Sequence, residues 1–487
     1  MTAFSPPTTL SDIIIRADSA MPPLEADNAA IIQMQKIAAD YRADEHNGER
    51  LRIHLVLRSQ GLSHYLKRMP LEKELAANVE LYSYTLEDLW AMEMVGVNPT
   101  SHFRIDRNPI TADSLQHAHL VLIGHSSMTE SLAIHTALTA HFPNYCHNHS
   151  LRTRITMIAD KHTQLHSFQQ RYRNLLLHSY RRTVTVNGDN VECHLMEPQY
   201  AGLRQDFVDV EWEFVEGTVD NHPIVYKLQQ WSNDESQQLT LAFCHEDEER
   251  NFSEALSLQE ILNFHTPIWL NVKDSTAVDF LHRSTPQSTL VPFGMTNAVL
   301  PDMTDFIRIA QCVNFAYTKM RDTTKEEREQ GMSDLSVALD PPSEETLQEL
   351  WNNKRLTTPK RWSNLYNAFT LRSKMHSLGH PTTEWGTLFA VSDKDVETMS
   401  EVEHNRWCVE ELILGYRPTT EEEHAEVLKD ISKKEVLKSK MIHEDLRNYH
   451  ELHTDDSGLS VKRYDAGLTR TLPLVAYSYN RLKNKQS

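Results

Sequence analysis

The chain has 487 residues, with 49 Lys plus Arg against 68 Asp plus Glu, a formal charge of −19. At about 150 residues per domain that length makes about three domains. The acidic balance excludes a broad surface for nucleic-acid backbones or anionic membranes, since both need dense positive charge. Fourteen glycines in 487 residues fall well under the usual share of about 7% and argue against a complete glycine-rich phosphate loop. The five cysteines are odd in number and form no CxxC pair, which speaks against a disulfide framework and a structural zinc site. Protonating all 26 histidines would carry the net charge from −19 to +7, so charge is expected to vary steeply near neutral pH.

No apolar run approaches the ~18 residues of a membrane span. The start, MTAFSPPTTLSDIIIRAD, lacks a basic n-region and has only Ile13 to Ile15 as an apolar run, so it does not read as a signal peptide. A reducing, cytoplasmic location is the expectation. Residues 1–50 read as an N-terminal extension broken by Pro6, Pro7, Pro22 and Pro23, with one amphipathic helix over 28–41.

Beyond them, apolar runs at 52–57 (RIHLVL), 79–84 (VELYSY), 119–124 (HLVLIG) and 154–158 (RITMI) alternate with helical stretches. Such alternation implies parallel strands with crossover helices, so 51–160 reads as a Rossmann-like domain. Residues 161–238 form a connector, an Arg-rich helix followed by a hairpin with Asn187-Gly188 at its turn. Strand patterns at 239–244, 267–272 and 290–293 then make 239–320 a second Rossmann-like α/β unit. Residues 321–398 read as a charged linker with helices, and 399–487 as a mainly helical C-terminal domain. The expected fold class is α/β, with Rossmann-like parallel-sheet units preceding the helical part.

At the end of the first strand stands Arg58-Ser59-Gln60-Gly61. A dinucleotide fold places G-x-G-x-x-G here, so that backbone N–H groups approach a pyrophosphate. Only Gly61 remains, which leaves two readings: a nucleotide site using Arg58 and Ser59 as anion donors, or a scaffold without its cofactor. The 124–130 stretch places Ser126 at a helix start, where it either caps the helix or holds an anion. Met128 stands where a G-x-S-x-G nucleophile elbow requires glycine. The acidic run containing Glu246 and Asp247 suits ribose hydroxyls or complements a helix dipole. Cys146, His147 and His149 lack a second, separated ligand pair, and His376 and His380 are separated by the helix-breaking Gly379, so no metal is expected.

The last third concentrates chemistry. His404, Trp407 and Cys408 stand at i, i+3 and i+4 and share a helix face. A face of imidazole and indole stacks on a planar ring, or serves as a polar-tipped core seam. With Gly415-Tyr416, then His443, Leu446, Tyr449 and Leu452, then Lys462, Asp465 and Leu472-Pro473, this block resembles the RyR domain, the repeat first described in ryanodine receptors and also found in bacterial proteins. It departs from that pattern at Glu444, where the family usually has Pro, and in the long charged stretch 419–440. Upstream, 360–368, 206–217, 251–258 and Pro292-Phe293-Gly294 are similar to bacterial members in which the RyR domain follows regions like the nucleotide-binding domains of TrkA-type potassium regulators.

The resemblance implies a ligand sensor for a nucleotide or nucleotide-derived messenger, in bacterial antiphage defence or stress signalling. It implies no direct nucleic-acid binding, no catalytic residue and a homodimer. His404, Trp407 and Tyr416 would wall the ligand, with Arg447 and Arg463 as phosphate partners. Arg58, Ser59, Gly61, Ser126 and Glu246 would form the Rossmann-like platform. Two other classes stay open: a nucleotide- or NAD-hydrolysing enzyme using Glu246 or Asp247 as acid/base, and a non-binding scaffold.

Overall fold

In the computed structural model the described residues are 12–46, 49–97, 104–188, 190–199, 206–295, 303–322, 339–453 and 460–486. The stretch KEEREQG expected in the charged linker lies outside them. The chain divides into two compact units, one of residues 1–89, 300–315 and 342–368, the other of 90–299, 316–341 and 369–487.

The first unit is built on a three-stranded parallel sheet of β1 (Ile13–Arg16), β2 (Leu51–Leu57) and β3 (Val79–Thr85). The helix Pro23–Asp40 begins with Pro at its first turn, where a missing N–H costs nothing. It buries Ala26, Ala30, Met34 and Ala38, spaced by four, against Ile53, Leu55 and Leu57. Part of the expected N-terminal extension is thus integral: β1 pairs with β2 from Ile13↔Ile53 to Arg16↔Val56. Three apolar residues in a row are too short a signal to separate a strand from a loop.

The second unit holds an eight-stranded sheet. Its strands are β4 (His117–Ile123), β5 (Thr153–Ala159), β6 (Arg181–Asn187), β7 (Asn190–Met196), β8 (Val210–Glu216), β9 (Gln237–Phe243), β10 (Ile268–Asn271) and β11 (Leu290–Phe293). Their order is β11-β10-β9-β4-β5-β8-β6-β7, parallel except for the β6–β7 hairpin at one edge. With that hairpin set aside, the parallel strands numbered along the chain read 3-2-1-4-5-6 across the sheet, the order of a dinucleotide-binding fold. The sequence expectation of separate units at 51–160 and 239–320 is redrawn by this pairing. Strands 52–57 and 79–84 belong to the first sheet, whereas β4 lies beside β9 along its whole length, from His117↔Gln237 to Ile123↔Phe243. Apolar patterning marks a buried strand but carries no record of its neighbour.

The C-terminal part of this unit is helical. Its main element is the helix Asp393–Leu414, capped by the Ser392 side chain and closed by Gly415 at φ 99°, with Tyr416 N–H donating to Glu411 O. The two-residue strands β12 (Arg417–Pro418) and β13 (Ile442–His443) pair beyond it, and the helices Lys462–Arg470 and Leu472–Gln486 end the chain. The fold is α/β, with Rossmann-like sheets and a helical C-terminal part. Among the described residues no helix is long and apolar enough to cross a membrane.

Candidate functional site

Ligands of open α/β sheets sit at the carboxyl ends of the strands where the order reverses. Here that point lies between β4 and β9. It brings Ser126 and Glu246 to neighbouring strand ends, but the chain fills much of the place itself. Gly124 has φ +95°, and a Cβ there would meet His245 N at 2.6 Å. The Thr129 hydroxyl lies 3.1 Å from Gly124 O and 3.3 Å from Cys244 O, bridging the two strand ends. Ser126 and Thr129 cap the helix Ser127–Thr139 reciprocally. Asp247 caps the helix Glu248–Ile261 by accepting from Glu249 and Arg250 N–H, and Glu246 is exposed beside it. The serine and the acidic run therefore act chiefly as helix caps.

In the first unit, the end of β2 is occupied likewise. Arg58 N–H and Ser59 N–H donate to the two carboxylate oxygens of the buried Asp27, at 2.7 and 2.9 Å. The Arg58 guanidinium donates to Met21 O at 2.5 Å. Ser59 caps the helix Gln60–Arg68, and Gly61 is exposed, with nothing within 4 Å of a Cβ built on it. A carboxylate of the protein takes the position that an anionic ligand would need.

The helix Asp393–Leu414 and β13 form a different kind of place. Trp407 stands edge-on to His443, ring centroids 4.8 Å apart, and Tyr416 is edge-on to the same ring at 6.0 Å. His443 is buried, whereas Trp407 and Tyr416 are only half-buried and reach the surface. Burial pulls the His443 imidazole down to about 3, against the carboxylate of Asp445, so the ring is neutral at neutral pH. One turn after Trp407, Glu411 accepts a hydrogen bond from it. Burial, reinforced by the neighbouring Glu410 carboxylate, pushes Glu411 up to about 8. Lys438 acts on both Glu411 and His443, and Lys434 lies close enough to influence His443 and pairs with Asp445 at 2.7 Å. The loop bearing Tyr416 is held by Asn174, whose amide donates to Gly415 O and Tyr416 O at 2.7 and 3.0 Å.

Three of the expected walls and partners, His404, Arg447 and Arg463, are engaged by groups of the protein itself. His404 is 2% exposed and lies behind Trp407, with Nε2 2.8 Å from Arg447 O and 3.4 Å from Cys408 Sγ, and Nδ1 3.6 Å from Asp465. Burial opposes its charge, but Cys408 and Asp465 outweigh it and hold the imidazole well above its ordinary value. The sequence Cys–His–Asp has the order of a nucleophilic relay. Cys408 is fully buried, however, and burial pushes its thiol up. The relay ties the Lys462–Arg470 helix to the Asp393–Leu414 helix. Arg447 is 4% exposed and binds Glu444 O, Thr419 and the His424 ring. Its guanidinium is engaged by groups of the protein around the end of β13. Arg463 lies over the Tyr464 ring and donates to Tyr464 OH and Ser460 O.

Beneath this cluster, Lys374, Glu403, Arg406 and Glu410 form a buried ionic chain, with Arg406 2.9 Å from Glu403 and 2.6 Å from Glu410. Such a chain persists only when fully paired. His443, Glu411, Lys434 and Lys438 were missed as site residues from sequence, although His443 belongs to the motif and Glu411 follows Trp407 by one turn. The expected steep titration of 26 histidines is also reduced. His117, His119, His125, His178, His424 and His443 are all held below their ordinary value, burial being the largest cause in each. No family model, no curated protein and no solved structure matches the chain.

Proposed function

We propose that this chain is a ligand-binding regulatory protein, and that its ligand, a nucleotide-derived small molecule, binds at Trp407, Tyr416 and His443. The observation that carries this reading is the pairing of two half-exposed aromatic rings with a buried, neutral imidazole, beside Lys434 and Lys438. A planar base stacks on Trp407, and the lysines supply charge for a phosphate. Glu411, protonated at neutral pH, offers a hydrogen-bond donor to a ring carbonyl or nitrogen. The helices Ser127–Thr139 and Arg173–Leu177 beside the Rossmann-like sheet serve as the support against which the helix Asp393–Leu414 packs. Recognition without covalent chemistry fits a site whose nearest thiol, Cys408, is enclosed. A homodimer in a bacterial defence or stress system belongs to the same proposal through the resemblance alone.

The test is a thermal-shift and calorimetric screen of the full chain with ATP, NAD and cyclic dinucleotides, with chromatography of each mixture. Saturable binding without product, abolished in Trp407→Ala and weakened in Tyr416→Ala, supports the proposal. Turnover of any of these compounds favours an enzyme. Binding that Trp407→Ala leaves intact moves the site elsewhere.

A further inference from the structure

On the other side of His443 the chain gathers a second set of polar groups. Glu444 and Asp445 follow β13 directly, and His453 approaches them from the segment after Tyr449–Glu451. Glu444 is 1% exposed, yet its Oε2 has no hydrogen-bond partner, and neither has Asp445 Oδ1. His453 Nε2 lies 3.3 Å from Glu444 Oε1 without the alignment of a hydrogen bond. One donor atom from each of Glu444, Asp445 and His453 lies within 4.8 Å of the other two. A buried carboxylate oxygen left unpaired bears the full cost of its lost hydration, and more so when it is charged. Buried carboxylate oxygens without partners, beside an imidazole whose two nitrogens also have none, are what a cation would satisfy.

The groups around the set act as supports. The guanidinium of Arg447 lies 2.9 Å from each nitrogen of the His424 ring, and His424 Nδ1 lies 3.1 Å from Glu444 Oε1. Lys434 holds the other oxygen of Asp445. Both contacts orient a carboxylate while leaving its second oxygen for the ion, as outer-shell partners of metal ligands do. We propose that Glu444, Asp445 and His453 form a divalent-cation site. The mixed nitrogen and oxygen donors suit zinc, with water completing its coordination. Ligand distances of about 2.0–2.2 Å put tetrahedral donors about 3.3–3.6 Å apart, so donors that lie within 4.8 Å of one another close by up to about 1.5 Å, through side-chain rotation. The ion fastens His453 to the end of β13 and so fixes the backbone that carries His443. This proposal does not depend on the nucleotide reading.

The experiment uses the full chain stripped with a chelator and titrated with Zn²⁺, Co²⁺ and Mg²⁺. The expected result is one tight equivalent of Zn²⁺, a rise in Tm, and visible Co²⁺ bands of a four-coordinate site. Asp445→Asn and His453→Gln each weaken that first equivalent at least tenfold, whereas the exposed control His147→Gln leaves it unchanged. If Asp445→Asn fails to fold, His453→Gln carries the test alone. The proposal is overturned if no first equivalent saturates, or if His453→Gln binds Zn²⁺ as the parent does.

Discussion

The carboxylate of Asp27 receives the backbone N–H groups of both Arg58 and Ser59, at 2.7 and 2.9 Å, so the end of β2 carries its own anion. Replacing that carboxylate tests whether the site was built for an external one. Asp27→Ala leaves two amides unpaired and should destabilise the chain by about 2–4 kcal/mol, read as a lowered urea midpoint. Inorganic phosphate should then raise the Tm of the variant and leave the parent unchanged. An equal response in both proteins would mean that Asp27 does not occupy an anion site.

Gly124 directly follows β4, and Gly61 lies four residues beyond β2 in the helix that comes next, and the structure needs only the first of them to be glycine. At Gly124, φ is +95° and His245 closes on any Cβ. Gly124→Ala should therefore cost roughly 1–3 kcal/mol or more. Gly61 lies within a helix with open space around it, and Gly61→Ala should be neutral or stabilising by up to about 1 kcal/mol. Thermal melts of the two variants separate these outcomes.

Acid should loosen the fold through its buried neutral histidines. In the folded chain His443 lies at about 3 and His117 at about 4, both below the 6.5 of a free imidazole. The unfolded chain takes up protons first, so their contribution is complete above pH 6.5 and is lost as pH falls through 6.5 toward 4 and 3. Urea midpoints measured from pH 7.5 to 4 should fall along that range. They should fall less steeply in His443→Gln.

Glu411 acts in the opposite direction. Its folded value of about 8 lies above the ordinary 4.5 of a glutamate, so the folded chain holds the proton longer. Its contribution is complete below pH 4.5 and is lost as pH rises toward 8. The Tm of Glu411→Gln relative to the parent should therefore increase from pH 6 to pH 9. If that difference is flat, Glu411 is already ionised at pH 6 and cannot donate a hydrogen bond to a ligand.

Local chemistry made much of this protein legible from its residues. The runs at 52–57, 79–84, 119–124, 154–158 and 239–244 are strands because apolar, β-branched stretches of that length bury themselves between layers. Ser126 and the acidic start of 248–261 are caps because short polar side chains satisfy the first free N–H groups of a helix. The shared face of His404, Trp407 and Cys408 follows from helical spacing. Other features were decided only by the tertiary structure. They include the placing of β4 beside β9 rather than with β3, the filling of the β2 end by Asp27, and the enclosure of His404 and Arg447 while Trp407 stays half-exposed. Periodicity and capping act over a few residues, whereas strand partnership, burial and the pairing of distant charges depend on which segments meet after the chain has folded.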